Sequence, residues 1–190
     1  KRFQLRFAPF RANLPIYIAA LSPPSLRMTG ELADGWLPIY LAPSRMTAAV
    51  SELKAGAEAA GRALSDIAIS PQVSIYVTDD VKAARDRERS HIAFYVGGMG
   101  VFYHQYMHRI GFGAEADRVR AAFQARERDR AAQLVTDEMV DAMTILGTPG
   151  QCRDQIQRFF DAGAREVRLV FNEPNRDAYL KALRAVAPRG

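Results

Sequence analysis

Residues 14–43 read LPIYIAALSPPSLRMTGELADGWLPIYLAP, and this stretch decides the fold class. Ile16, Tyr17 and Ile18 are apolar, β-favouring residues that run into the small pair Ala19 and Ala20, which predicts a short buried strand. Ser22 followed by Pro23 predicts a helix start. The hydroxyl can accept from a free backbone N–H, and proline at the first helical position loses nothing because that N–H has no partner anyway. The helix is expected to reach Leu32. Asp34 and Gly35 then turn the chain into a second apolar run, Trp36 to Tyr40, and a strand–helix–strand unit of this length implies a parallel sheet.

Such a unit leaves an anion site where its first strand ends. The backbone N–H groups opening the helix after Ser22 are expected to be unpaired and to point outward, while Ala19 and Ala20 keep bulk out of the way, so a phosphate has room there. On spacing alone, a plain helix cap is the commoner use of such a pair.

Beyond Pro43, Ser44 is the expected N-cap of an amphipathic helix carrying Met46, Val50, Leu53 and Ala57, ended by Gly61. Ile67 to Val77 reads as a third strand, paired mainly after Pro71. Thr78, Asp79 and Asp80 offer a cap for a charged helix from Val81 towards Tyr95. Gly97, Gly98 and Gly100 are expected to bend the chain between helices, turning Tyr95, Met99, Phe102 and Tyr103 towards one pocket; a plain aromatic core stripe is the alternative. His104 and His108 stand four apart on one helix face, yet no third ligand is evident, so hydrogen-bonded histidines and no metal are expected. Asp117 to Val135 reads as one strong helix, Asp137 to Thr144 as a short one. Thr148 and Gln151 form a capping box for a helix in which Cys152 is a small buried apolar group. Val167 to Phe171 is the fourth strand. Asn172 and Glu173 lie just past its end, before a closing helix from Arg176 to Val186.

The chain has 190 residues, 48% hydrophobic and 25% charged, and reads as one soluble domain, residues 1–190. Its net charge of +5 is spread over runs such as Arg85 to Arg89 and Arg126 to Arg130, where acids alternate with bases. That pattern describes solvated helix faces, and nucleic-acid binding is not expected. A single cysteine excludes an intrachain disulfide and fits a reducing compartment. No apolar run approaches the ~20 residues of a membrane span and no signal peptide opens the sequence, so a cytoplasmic protein is expected. Leu5, Phe7 and Phe10 form an irregular lead-in, either packed on a barrel rim or left exposed.

The succession PIYIAALSPP (15–24) and TGELADGW (29–36) resembles a segment of the luciferase-like flavin and deazaflavin oxidoreductases, a family built on a TIM barrel. AFYVGGMGVFYHQYMHRIGF (93–112) is similar to the aromatic insertion of the branch that uses coenzyme F420. ILGTPGQCRDQIQRFFDAGAREVRLVF (145–171) is similar to the last helix and strand of that branch.

Four strands, each followed by helix, fall short of a complete (βα)₈ barrel of about 250 residues. The resemblance therefore implies an α/β chain that forms the C-terminal half of a TIM barrel, with a helical insertion over residues 81–144. It implies a hydride-transferring oxidoreductase using coenzyme F420 and a small organic substrate. The alternatives are an FMN-dependent monooxygenase of the same family, or a non-catalytic barrel or interaction module. Barrel chemistry collects at the C-terminal ends of strands. Ala19, Ala20, Leu21, Ser22, Ile39 and Tyr40 are thus expected to face the coenzyme, and Tyr95, Met99, Tyr103 and Asn172 the substrate. Leu21 and Ser22 replace the small glycines common in the family, and bulk at Leu21 narrows the approach of a phosphate. Catalytic residues are expected from the first four strands, so none is named. Alone this stretch is expected to be inactive, and its exposed apolar helices imply a homodimer.

Overall fold

The computed structural model describes residues 8, 10, 11 and 13–188. Leu5 and Phe7 lie outside the described residues, and Phe10 is fully exposed. The first βα unit is as the sequence predicts: β1 (Tyr17–Ile18), α1 (Pro23–Leu32) and β2 (Gly35–Trp36). Asp34 works as the turn residue: its carboxylate accepts from the Ile16 N–H at 2.8 Å while its own N–H donates to the Ile16 carbonyl at 2.9 Å. Helix α2 (Pro43–Ala59) starts two residues earlier than expected, because Pro43 takes the first helical position and leaves Ala42, not Ser44, as the cap. Gly61 then turns the chain at φ +70.

The third strand is interrupted. β3 (Ala68–Ile69) and β4 (Gln72–Val77) are separated at Ser70 and Pro71, where proline offers no N–H to a ladder. β1, β2 and β3 form one parallel sheet; β5 (Thr144–Gly147), β4 and β6 (Arg168–Phe171) form another, with β4 central. A bridge from Ile39 to Gln72 links the second strand's continuation to β4. Among the described residues these sheets do not close into a barrel.

Between β4 and β5 lie five helices: α3 (Val81–Gly98), α4 (Phe102–Arg109), α5 (Gly113–Gln124), α6 (Arg128–Gln133) and α7 (Asp137–Met143). The single helix expected over Asp117 to Val135 is broken, with Arg126 left-handed at φ +65. The glycine bend lies later than expected. Gly97 and Gly98 remain inside α3, where a Cβ at Gly97 would fall 2.4 Å from the Phe123 side chain, and the chain bends over Met99 to Val101. After β5 come α8 (Pro149–Asp161), opened by the Thr148–Gln151 capping box, and α9 (Arg176–Val186) after β6.

Strand alternation divides the interior into two cores. Val73 and Ile75 of β4 point with Trp36, Ile69 and Ile145 towards Leu26, Met46, Leu53, Cys152 and Phe159, so helices α1, α2 and α8 cover one sheet face. Tyr76, one residue on, joins Tyr40 and Leu146 in a core with Ile92, Met107, Val119 and Met139 of the insertion. Cys152 is buried as expected. Burial pushes its thiol up to about 11, which keeps it protonated and unreactive at neutral pH.

Candidate functional site

The strands are parallel, so their C-terminal ends share one side of the sheets, and there the first βα junction meets the aromatic helix α4. Ala19, Leu21, Ser22 and Ser25 from the junction and Phe102, Tyr103, Gln105 and Arg109 from α4 line an open groove of ≈ 400 Å³. Ala19 is exposed and contributes only a methyl group, while Ala20 is buried beneath, its carbonyl accepting from the Trp36 indole at 2.9 Å. Leu21 packs against the helical core and also walls a smaller apolar cavity of ≈ 210 Å³ behind α4, with Leu26, Trp36, Leu41 and Ile110.

The amide cradle expected after Ser22 does not form. Pro23 and Pro24 have no N–H to offer. The Ser22 N–H donates to the Ser25 hydroxyl at 3.2 Å, and the Ser25 N–H is capped by the Ser22 hydroxyl at 3.4 Å. The helix start thus satisfies itself. What the junction presents instead is two hydroxyls 2.8 Å apart and a cation the spacing did not reveal. Arg109 is that cation: its guanidinium donates to the Leu21 carbonyl at 3.3 Å and stands 5.9 Å from the centre of the Tyr106 ring, which holds the charge at the groove rim. One signal was available in the sequence, a basic residue in the last turn of a helix ended by Gly111.

Ile39 and Tyr40 follow β2. Ile39 packs half-buried against the helical core, and Tyr40 adopts the left-handed region at φ +55, unusual for a residue with a side chain. The turn drives its ring inward, edge-on to Tyr95 at 5.0 Å and Tyr103 at 6.1 Å, with Tyr95 and Tyr103 themselves 4.9 Å apart. These three rings form one cluster beneath the groove, and Tyr103 belongs to both. Met99 sits exposed on the bend after α3, outside the groove lining. Asn172 is also apart, fixed in a polar chain: its amide donates to the Tyr76 hydroxyl at 3.2 Å, and that hydroxyl donates to Glu88 at 2.7 Å.

Glu88 corrects the expectation that the Arg85 to Arg89 run is wholly solvated. It stands on the buried stripe Ala84, Glu88, Ile92 and Val96, is fully buried, and its second carboxylate oxygen has no partner among the described residues. Burial pushes its pKa up despite the Tyr76 hydrogen bond. Folded protein therefore holds this proton at a pH where the unfolded chain, near 4.5, has released it. Glu88 favours folding below that value, and its contribution is lost as pH rises through the folded pKa. Glu88→Gln should accordingly gain stability relative to the parent as pH rises above about 4.5, read from unfolding midpoints. A difference between the two proteins that does not grow as pH rises from about 4 would contradict a buried, proton-holding Glu88.

The chain is 33% identical over 162 residues to Rv3520c of Mycobacterium tuberculosis, provisionally named a coenzyme F420-dependent oxidoreductase; the match covers 82% of this chain and 46% of that protein. It is 30% identical over 155 residues to the 5,10-methylenetetrahydromethanopterin reductase of Methanolobus tindarius, covering 82% of this chain and 47% of that enzyme. Among solved structures, the coenzyme F420-dependent tetrahydromethanopterin reductase of Methanopyrus kandleri superposes with a TM-score of 0.70 at 25% identity, over 90% of this chain and 49% of that one. The chain thus spans about half the length of the relatives it matches. Residues 1–166 match the luciferase-like monooxygenase family, a span that takes in the first βα junction and the helix α4 that line the groove, and the chain belongs to that family.

Proposed function

We propose that this chain is the C-terminal half of a TIM-barrel oxidoreductase, and that the groove between the first βα junction and α4 holds the anionic, phosphate-bearing tail of coenzyme F420. The observation that carries this reading is Arg109 at an open groove that Ala19 lines with no more than a methyl group. A guanidinium fork beside two serine hydroxyls suits phosphate oxygens, so the residues present fit such a tail. Bound there, the deazaflavin would supply hydride transfer to or from a small organic substrate.

The chain's own part is positioning. Arg109, Ser22 and Ser25 bind the tail. Ala19 leaves the approach open, and Tyr103 walls the groove from the side of α4. The cluster of Tyr40, Tyr95 and Tyr103 supports the wall from beneath, and Tyr40 is held in its costly backbone region by that packing. Met99 and Asn172 remain candidates for the substrate side, on the bend and beyond β6. Residues that move protons are assigned to the barrel half outside this chain. Exposed Phe94, Met99, Val101 and Phe102 support self-association into a homodimer.

The experiment is anaerobic turnover by the full-length protein. With reduced F420 and a panel of small carbonyl and imine compounds, oxidation of the coenzyme is expected to depend on the organic acceptor. Turnover seen only with reduced FMN and oxygen would replace this reading with that of a monooxygenase.

A further inference from the structure

The spacing of His104 and His108 shows two imidazoles on one face of α4; the fold supplies what the spacing lacks. The turn after α4 is tight, with the Phe112 N–H donating to the Met107 carbonyl at 2.9 Å and Gly111 at φ +96, so α5 returns alongside α4 and brings Asp117 opposite the pair. His104 Nε2 lies 2.7 Å and His108 Nε2 2.9 Å from the same oxygen, Asp117 Oδ1. The two rings meet edge to face, with centroids 4.8 Å apart.

Glycine at 113 contributes to this geometry. A Cβ there would fall 2.5 Å from His108 Nδ1, so only a bare backbone lets the ring lie flat against the start of α5 with Nε2 turned to the carboxylate. His104 is mostly covered, with a side chain 19% exposed, whereas His108 and Asp117 are about half exposed at 46% and 57%. Two ring nitrogens and one carboxylate oxygen therefore gather from two helices, all within 4.8 Å of one another, at a place that solvent reaches.

We propose that His104, His108 and Asp117 bind a divalent first-row transition metal ion of the zinc class, which clamps α4 to α5. Two imidazole nitrogens and one carboxylate oxygen are the donor set such ions take, whereas calcium and magnesium prefer oxygen alone. Tetrahedral ligands about 2.0–2.1 Å from zinc lie about 3.3 Å from one another, so the nitrogen–oxygen pairs, now at 2.7 and 2.9 Å, must part slightly and the three atoms, within 4.8 Å of one another, must draw round the ion. Each neutral ring would give the ion its Nε2 lone pair and carry its proton on Nδ1, with water completing the shell on the open side. This inference does not rest on the coenzyme reading, although α4 carries both sets of residues. A clamp on its His104–His108 face would stiffen the helix that presents Tyr103 and Arg109 to the groove.

The test is calorimetric titration of the chelator-treated full-length protein with Zn²⁺, and with Mg²⁺ and Ca²⁺ as controls. One equivalent of Zn²⁺ is expected to bind at micromolar concentration or below, with neither control ion binding there. His108→Ala and Asp117→Asn should each weaken Zn²⁺ binding by at least about tenfold. Asp117→Asn keeps a hydrogen-bond acceptor for both rings, so its fold is spared while a charged ligand is lost. Co²⁺ should give visible d–d absorption with the parent protein and not with His104→Ala. Equal Zn²⁺ affinity in parent and variants, or no binding at micromolar Zn²⁺, would overturn the proposal.

Discussion

Gly56→Ala and Gly30→Ala are each expected to destabilise the protein by at least about 3 kcal/mol, a cost at the upper end of overpacking. Helices α1 and α2 cross with their backbones in contact, and the two glycines face each other's helix. A Cβ at Gly30 would fall 2.0 Å from the Leu53 carbonyl oxygen, and one at Gly56 would fall 1.9 Å from that of Arg27. Both obstacles are backbone, so no rotamer change relieves them; the helices must separate. Separation would open the packing around Leu26, Leu53 and Ala57, and would pull Gly30 and Ala33 away from Arg62, which donates to both carbonyls at 2.9 and 2.8 Å. Neither glycine has positive φ, so alanine's better helix propensity works the other way, but only by about 1 kcal/mol. Chemical denaturation of each variant reads the difference; unchanged stability in either would mean that the helices do not approach as closely as described.

Arg109→Ala is expected to weaken coenzyme binding about tenfold while leaving the fold intact. Charged hydrogen bonds contribute roughly 1.5–3 kcal/mol, and the exposed rim places this one near the lower end. Its present contacts, the Leu21 carbonyl and the Tyr106 ring, are weak enough for the guanidinium to turn to a ligand. Arg109→Lys should recover part of the loss, since charge survives but the planar fork does not. Raising salt should narrow the gap between parent and alanine variant. Equal affinities for parent and Arg109→Ala would remove the cation from the site.

Local chemistry made much of this legible. The capping box at Thr148, the closing helix from Arg176 to Val186 and the turn at Asp34 each depend on neighbours in sequence, and each forms as expected. The self-satisfied start of α1 was legible too: two prolines in a row cannot donate, and a serine three residues after Ser22 can close the box. β5 was not, because Thr144 to Gly147 becomes a strand only through pairing with β4. The left-handed turn at Tyr40, the burial of Glu88 and the arrival of Asp117 beside two histidines also arise from tertiary contact. Periodicity places a residue on a face but does not say what that face meets. Ala84, Glu88 and Ile92 were nonetheless spaced as a stripe, and a carboxylate on such a stripe marks either a buried acid or a misplaced helix boundary.

Among the described residues no helix is long and apolar enough to cross a membrane. The most direct measurement is a paired titration of full-length protein with F420 and with FMN, followed by coenzyme fluorescence, for parent and Arg109→Ala. The account predicts saturable F420 binding that weakens about tenfold in the variant, with FMN bound less tightly than F420 by the parent. Failure of F420 to bind, or binding indifferent to Arg109, would contradict it.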